Sequence, residues 1–246
     1  MLVTSDHLHA SLHSPPVHGF SCRTGGVSQG RHCSLNLSDK WGDDPENVRE
    51  NLRRFAAAVG FEPARLVTAR QVHGVEVVAA KTVTEETEAD AVWTRRGSGV
   101  IVGVRTADCV PVLLVDGEAG LCAAVHSGWR GTAANISGAA VTTLRREGAR
   151  PGGLRAAIGP CIEVEAFEVG EEVAEAFAPA FVRRDLGPKP HVDLRACVRA
   201  QLRYAGLRDE DVVDVGGCTH AQPARHFSYR RDGSGIGQQL SVIGWG

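Results

Sequence analysis

The sequence has no apolar run approaching the roughly 18 residues of a membrane-spanning helix, so no helical membrane span is expected. The opening MLVTSDHLHASLHSPPVHGF lacks a basic region followed by an apolar core, so it does not read as a secretory signal. Seven cysteines, an odd number with no CxxC pair, argue against a disulfide framework. Reduced thiols in a cytoplasmic protein are the expectation. An excess of charge of either sign is also missing. A net charge of −2 supplies no field to draw nucleic acid or an anionic membrane, which leaves small molecules as the expected partners. Internal repeats, low-complexity blocks and linkers are missing too. A hydrophobic content of 43% and a charged content of 23% are ordinary for a globular chain.

What is present reads as one α/β domain of mixed type over residues 18–246, preceded by a loose arm over 1–17. The arm and its edge carry His7, His9, His13 and His18. GFSCRTGGVSQGRHCSLNLS reads as strand and loop. Asp44-Pro45 opens a helix with Val48, Leu52, Phe55 and Val59 on its apolar stripe and Gly60 as its stop. RLVTARQVHGVEVVAA predicts two strands hinged at His73-Gly74, and GVIVGV a buried strand. Ala133, Ile136, Ala140 and Leu144 predict one helix that ends at Gly148. LRAAIGPCIEVEAFEVG reads as a strand broken at Gly159-Pro160. Further helices are expected over about 169–177 and after Asp193, the latter faced by Leu194, Cys197, Val198, Leu202 and Ala205. HFSYRRDGSGIGQQLSVIGW reads as turns and a closing strand.

The stretch TADCVPVLLVDGEAGLCAAVHSGWRG holds two apolar runs around a Gly-containing break, a hairpin signal. With Asp116–Ala119 as the loop, Val115 faces Gly120, Val110 faces Val125, and Cys109 faces His126. Opposed side chains on antiparallel strands have Cβ atoms roughly 4.5–5.5 Å apart, a spacing that suits two metal ligands or a thiol and its base. A slip of one residue would separate them onto opposite faces. Cys109 and His126 could equally be a buried thiol beside a hydrogen-bonded core histidine. Three features favour chemistry: Asp108 is an acid in an apolar neighbourhood, Arg130 and GWRGT open a helix whose free N–H groups favour an anion, and His73 ends another strand. Two histidines and a cysteine make a plausible zinc set with one open position, although spacing alone does not bring His73 to the pair.

HGFSCRTGGVS, SLNLS, GDDPENVREN, QVHG, TADCVPVLL, VHSGWRG, GPCIEVEAFEVG and FSYRRDG run in that order from residue 18 to 233. This ordered set resembles the YfiH-type laccase-domain family, also described as polyphenol-oxidase-like and as a purine nucleoside phosphorylase family. The resemblance implies β-sheets sandwiched by flanking helices, with metal ligands at His73, Cys109 and His126. Ser127, Glu163, Phe167 and the ending GIGQQLSVIGW depart from the usual pattern. The implied activity is zinc-dependent phosphorolysis of adenosine, inosine, guanosine and methylthioadenosine, together with deamination of adenosine.

On that reading Asp108 is the candidate proton carrier, Cys109 and His126 form the catalytic pair, and Arg130 contacts phosphate. Arg23 and Asn36, in matched segments, are candidate ribose or phosphate contacts. Trp129 either stacks a base or packs in the core, and Arg230 and Arg231 are either an anion clamp or exposed strand charges. Cys22, Cys33, Cys122, Cys161, Cys197 and Cys218 need no role beyond packing. The alternatives are copper-dependent oxidation of phenols, since imidazole and thiolate also suit copper, and a Cys–His amidase acting on peptidoglycan precursors. A metal-stabilised binding protein is the non-enzymatic reading.

Overall fold

A short acid-capped helix and a run of two-faced strands set the architecture, which a computed structural model describes for residues 2–8, 15–150 and 152–245. Strands β1 (Leu2–Val3), β2 (Val17–Ser21), β3 (Leu66–Val67) and β4 (Val77–Ala79) lie in the first third of the chain. The strands β5 (Ala91–Arg95), β6 (Ile101–Thr106), β7 (Val110–Asp116) and β8 (Leu121–Ser127) follow closely. Then come β9 (Leu154–Ile158), β10 (Val182–Arg183), β11 (His191–Val192), β12 (Val212–Asp214) and β13 (Gln239–Gly244). The α-helices are α1 (Pro45–Val59), α2 (Trp129–Ala133), α3 (Ile136–Arg146), α4 (Glu171–Ala174), α5 (Leu194–Tyr204) and α6 (Tyr229–Asp232). No helix among the described residues is long and apolar enough to cross a membrane.

The strands form a five-stranded sheet ordered β1-β2-β13-β6-β3 and a six-stranded sheet ordered β12-β9-β7-β8-β5-β4, with β10 and β11 paired separately. Each large sheet is mixed, because β3 joins β6, β4 joins β5, and β12 joins β9 in parallel. Side chains alternate across the pleat, so both faces of the central strands are buried. Leu113 and Val115 of β7 and Cys122 and Ala124 of β8 pack against Val102 and Val104 of β6, between the sheets. Val112, Leu114, Ala123 and Val125 point the other way, onto Ile136, Leu144, Val198 and Leu202 of α3 and α5. Phe55 and Ala56 of α1 cover the outer face of the five-stranded sheet at Ile101, Leu240 and Val242. The result is the expected sandwich, a helix–sheet–sheet–helix stack.

Local expectations hold at α1, where the Asp44 side chain accepts from Glu46 N and Gly60 ends the helix at φ 96°. They hold at α5 too, where Asp193 accepts from Ala196 N. Four expectations are corrected. The hairpin register is shifted by two: Asp116 pairs with Leu121, Val115 with Cys122 and Pro111 with His126. Asp116 stays in the strand because its carboxylate caps the turn at Glu118 N and Ala119 N, while Gly120 closes the loop at φ 65°. The helix expected through Ala133 is split. Asn135 takes the left-handed conformation, and its side chain restarts the chain as α3 by accepting from Gly138 N. The 169–177 helix is confined to Glu171–Ala174. Arg230 and Arg231 sit on a helical turn, α6, instead of a strand.

The arm expected to be loose is docked where it is described. Leu2–Val3 pairs with β2, Leu8 is fully buried between the sheets, and Ser5 N donates to His18 Nε2. His9 and His13 lie outside the described residues.

The Gly-rich segment after β2 is organised by Asn51 of α1, which is fully buried. Asn51 Oδ1 accepts from Val27 N, and its Nδ2 donates to Ser28 Oγ, Ser34 O and Asn36 O at 2.8–3.1 Å. Asn51→Ala strands several buried backbone groups, each costing roughly 1–3 kcal/mol. The expected loss is about 3 kcal/mol of unfolding free energy, read from the urea midpoint at unchanged slope. A shift under about 1 kcal/mol would show that the segment is held elsewhere.

Candidate metal centre and its cavity

His73, Cys109 and His126 converge. Their ligand atoms all lie within 4.8 Å of one another, a spacing that can hold a metal ion, and this is the one such group among the described residues. Cys109 Sγ is 3.9 Å from His73 Nε2, and the two imidazole rings meet edge to face at 4.8 Å. The register shift is even, so Cys109 keeps the face that the sequence predicted. What now stands across from Cys109 is Gly128, and a Cβ there would come within 2.6 Å of His73 Cδ2 and 3.2 Å of Cys109 Sγ. Glycine at this position leaves the volume into which the imidazole and thiol converge.

His73 is brought in by a residue that sequence reasoning missed. Asp90, fully buried just before β5, accepts from Val72 N at 3.1 Å, His73 N at 2.9 Å and Gly74 N at 2.6 Å. Those donors hold the hinge in which His73 takes φ 62°. The same carboxylate contacts His126 Nδ1 at 2.7 Å, which leaves Nε2 free for the centre. Burial works against charge on Asp90, but the His126 hydrogen bond and the backbone donors outweigh it and hold its pKa below the ordinary value. The signal was present in the sequence: an acid leading directly into the apolar strand AVW needs a buried partner.

Electrostatics separates Cys109 from the buried thiols of Cys122, Cys161 and Cys197. Burial pushes Cys122 up, and it pushes Cys161 up to about 12 and Cys197 to about 11. Burial also acts on Cys109, but His126 and His73 overcome it and bring the thiol down to about 6. Burial would lower His126, yet the Cys109 thiolate and the Asp90 carboxylate raise it to about 9. Each member of the pair thus favours the charged form of the other.

These groups open on a cavity of about 780 Å³. Asp108, at φ 99°, lines it, with Oδ1 accepting from Thr219 Oγ1 and Oδ2 from Arg230 N, both at 2.6 Å. Arg130 lines it as an exposed residue stacked at 4.2 Å on Trp129, which itself packs partly into the helix-side core. Trp41 and Tyr229 stack at 5.9 Å on the same lining. Arg230 lies over the Phe167 ring at 5.1 Å. Arg231 is taken up by the carbonyls of Thr219, His220 and His226 and by Asp232, so it forms no clamp with Arg230.

Two expected substrate contacts are not on the lining. Arg23 donates to the carbonyls of Cys33 and Pro223 and lies over Phe227. Asn36 is buried, accepting from Ser38 N and Gln238 N and donating to Ser38 O and Asp43 Oδ2. Both side chains help hold the Gly-rich segment together.

Metal coordination requires neutral His126, so each ion bound near pH 7.5 should displace about one proton. Titration calorimetry in buffers of different ionisation enthalpy should show it. Affinity should fall about tenfold per pH unit from 9 down to 6, and more steeply below 6 as Cys109 also protonates. Zero proton release would mean His126 is already neutral. Asp90→Asn, which loosens both histidines at once, should weaken metal binding roughly 10–100-fold. Unchanged affinity by competition with a chelator would remove Asp90 from the design.

Comparison with known proteins places the chain. Residues 17–246 match the family model described as multi-copper polyphenol oxidoreductase laccase. The purine nucleoside phosphorylase of Deinococcus radiodurans is 42% identical over 230 residues, covering 92% of this chain and 88% of that one. Adenosine deaminase RL5, from an unknown prokaryotic organism, is 37% identical over 245 residues, covering 92% and 93%. The crystal structure of YlmD from Geobacillus stearothermophilus superimposes with a TM-score of 0.86 at 32% identity, covering 94% of this chain and 92% of that chain. Matched almost from end to end in sequence and in fold, the chain belongs to the laccase-like family of YfiH and YlmD.

Proposed function

We propose that this chain is a zinc-dependent purine nucleoside enzyme, carrying out phosphorolysis of adenosine, inosine, guanosine or methylthioadenosine and deamination of adenosine. The observation that carries the reading is the convergence of His73, Cys109 and His126 on a cavity large enough for a nucleoside. The names of the relatives, purine nucleoside phosphorylase and adenosine deaminase, support the substrate class. The donor set fits zinc, being two imidazoles and a thiolate with one side open and Asp90 behind His126. When bound, the ion would supply Lewis-acid polarisation at neutral pH.

The chain's own groups divide the remaining work. Asp108 is the candidate proton carrier, because each of its oxygens accepts one hydrogen bond and retains a second acceptor direction. Arg130, with no ion pair among the described residues and stacked on Trp129, is a substrate contact on the cavity wall. The Trp41–Tyr229 pair offers an aromatic face to a purine. Copper in place of zinc is compatible with the ligands and with the family's description. Four-electron reduction of oxygen needs several coppers acting together, however, and the described residues assemble a single ligand group.

A second reading is favoured by one observation. Cys109, His126 and Asp90 also have the order of a thiolate, its base and the carboxylate that orients it, as in a Cys–His amidase. Cys109→Ser separates the two. On the nucleoside reading it should lose bound metal, measured on protein purified without added metal, and lose phosphate-dependent nucleoside turnover by more than about a hundredfold, because a neutral hydroxyl is a poor zinc ligand. Full metal occupancy with turnover abolished would support the amidase. Cys161→Ser should leave metal content unchanged.

A further inference from the structure

The cavity has a charge that the whole chain does not. Lys40, Arg70, Arg105, Arg130 and Arg230 line it, against the carboxylates of Asp39 and Asp108 alone. The protein as a whole carries a net charge of −2. Part of that local excess is already engaged. Arg70 pairs with Glu88, while Arg230 donates to Glu168 O and stacks on Phe167. Asp108 is held by Thr219 and by the backbone of Arg230.

Arg105 is different in kind. It is the penultimate residue of the buried strand β6, three residues before Asp108, and is itself largely withdrawn from solvent. Its position is set from both sides, since Arg105 N donates to Gln71 Oε1 at 2.8 Å while Gln71 Nε2 donates to Arg105 O at 2.8 Å. Of its guanidinium, Nε donates to Leu37 O at 2.6 Å and Nη1 to Thr68 Oγ1 at 3.0 Å. Its Nη2 has no acceptor among the described residues, and no carboxylate there forms an ion pair with it. Asp39 acts on it only at longer range. A desolvated guanidinium with neutral partners, fixed in orientation and facing a cavity, is an incomplete ion pair. Its planar pair of free donors matches the oxygens of a phosphate.

We propose that Arg105 is the seat of a phosphate group in this cavity, binding it through the Nη donors that the protein leaves free. This rests on the nucleoside reading for its place in a reaction, and it moves the phosphate contact from Arg130, where the sequence pointed, to a residue inside the fold. Arg130 is exposed and lies in the first turn of a helix of only five residues, whereas Arg105 is held rigidly and partly desolvated. The phosphate belongs either to inorganic phosphate or to a phosphorylated nucleoside; the chemistry of the seat is the same.

The experiment uses the full-length metal-loaded protein, with inorganic phosphate as the probe. Titration calorimetry should give a phosphate Kd about tenfold or more weaker in Arg105→Gln and changed less than about threefold in Arg130→Ala. Because Arg105 also supports Leu37 O, the wild-type protein supplies a second measurement. Crystals soaked in phosphate should show the anion within hydrogen-bond distance of Arg105 Nη2. An anion held by Arg130 alone, or no anion at saturating phosphate, overturns the proposal. Adenosine 5′-monophosphate binding more tightly than adenosine, with the advantage lost in Arg105→Gln, assigns the seat to a phosphorylated nucleoside. No such advantage, with phosphate still dependent on Arg105, assigns it to inorganic phosphate. Phosphate on Arg105 without nucleoside turnover would sink the nucleoside reading and leave the seat standing. Phosphorolysis with phosphate on Arg130 would do the reverse.

Discussion

The Asp90 carboxylate is the constraint on which the centre depends. One fully buried group receives the three backbone N–H donors of the 72–74 hinge and holds His126 Nδ1. A charge in that position is tolerable only while all of these partners are present, because an uncompensated buried carboxylate costs several kcal/mol. The requirement runs in both directions. Charge on Asp90 keeps the hinge in a backbone conformation that is otherwise unfavourable at His73, and the hinge keeps Asp90 ionised. Two of the three ligand residues are thereby positioned by a single side chain.

The third ligand is placed by a different device. Cys109 follows Asp108, whose positive φ turns the chain out of the strand line, and it faces Gly128, the residue just past the end of β8. Asp108 is in turn tied to Thr219 and to the backbone of α6, so residues more than a hundred positions away steady the thiol. The rigid support comes from the six-stranded sheet, buried on both faces, with the functional groups gathered around the ends of β7 and β8.

Around this centre the arginines fall into two kinds. Arg23 directs three of its donors to backbone carbonyls, and Arg231 is taken up by backbone carbonyls and the Asp232 carboxylate, so both act as struts. Arg105 and Arg130 retain free donors toward a cavity that carries more positive than negative groups. Residue type alone does not distinguish a strut from a binding site. The difference lies in how many N–H groups the surrounding backbone has already claimed.

The sequence by itself determined what short-range physics controls. Asp44-Pro45 and Asp193 announce helix starts through capping, VPVLLV and GLCAAV announce paired strands, and the parity of the hairpin places Cys109 and His126 on one face. Even the two-residue error in register preserved that outcome, because side chains repeat every second position in a strand. Asn135 broke a helix whose apolar spacing was right, since a side chain that can cap also offers the backbone a competing conformation. What only the tertiary structure decided are the pairings between distant segments: Asp90 with the His73 hinge and His126, Gly128 opposite Cys109, and the unclaimed donors of Arg105. Each depends on which groups the folded chain brings within hydrogen-bond reach across tens of residues, and local pattern carries no record of that distance.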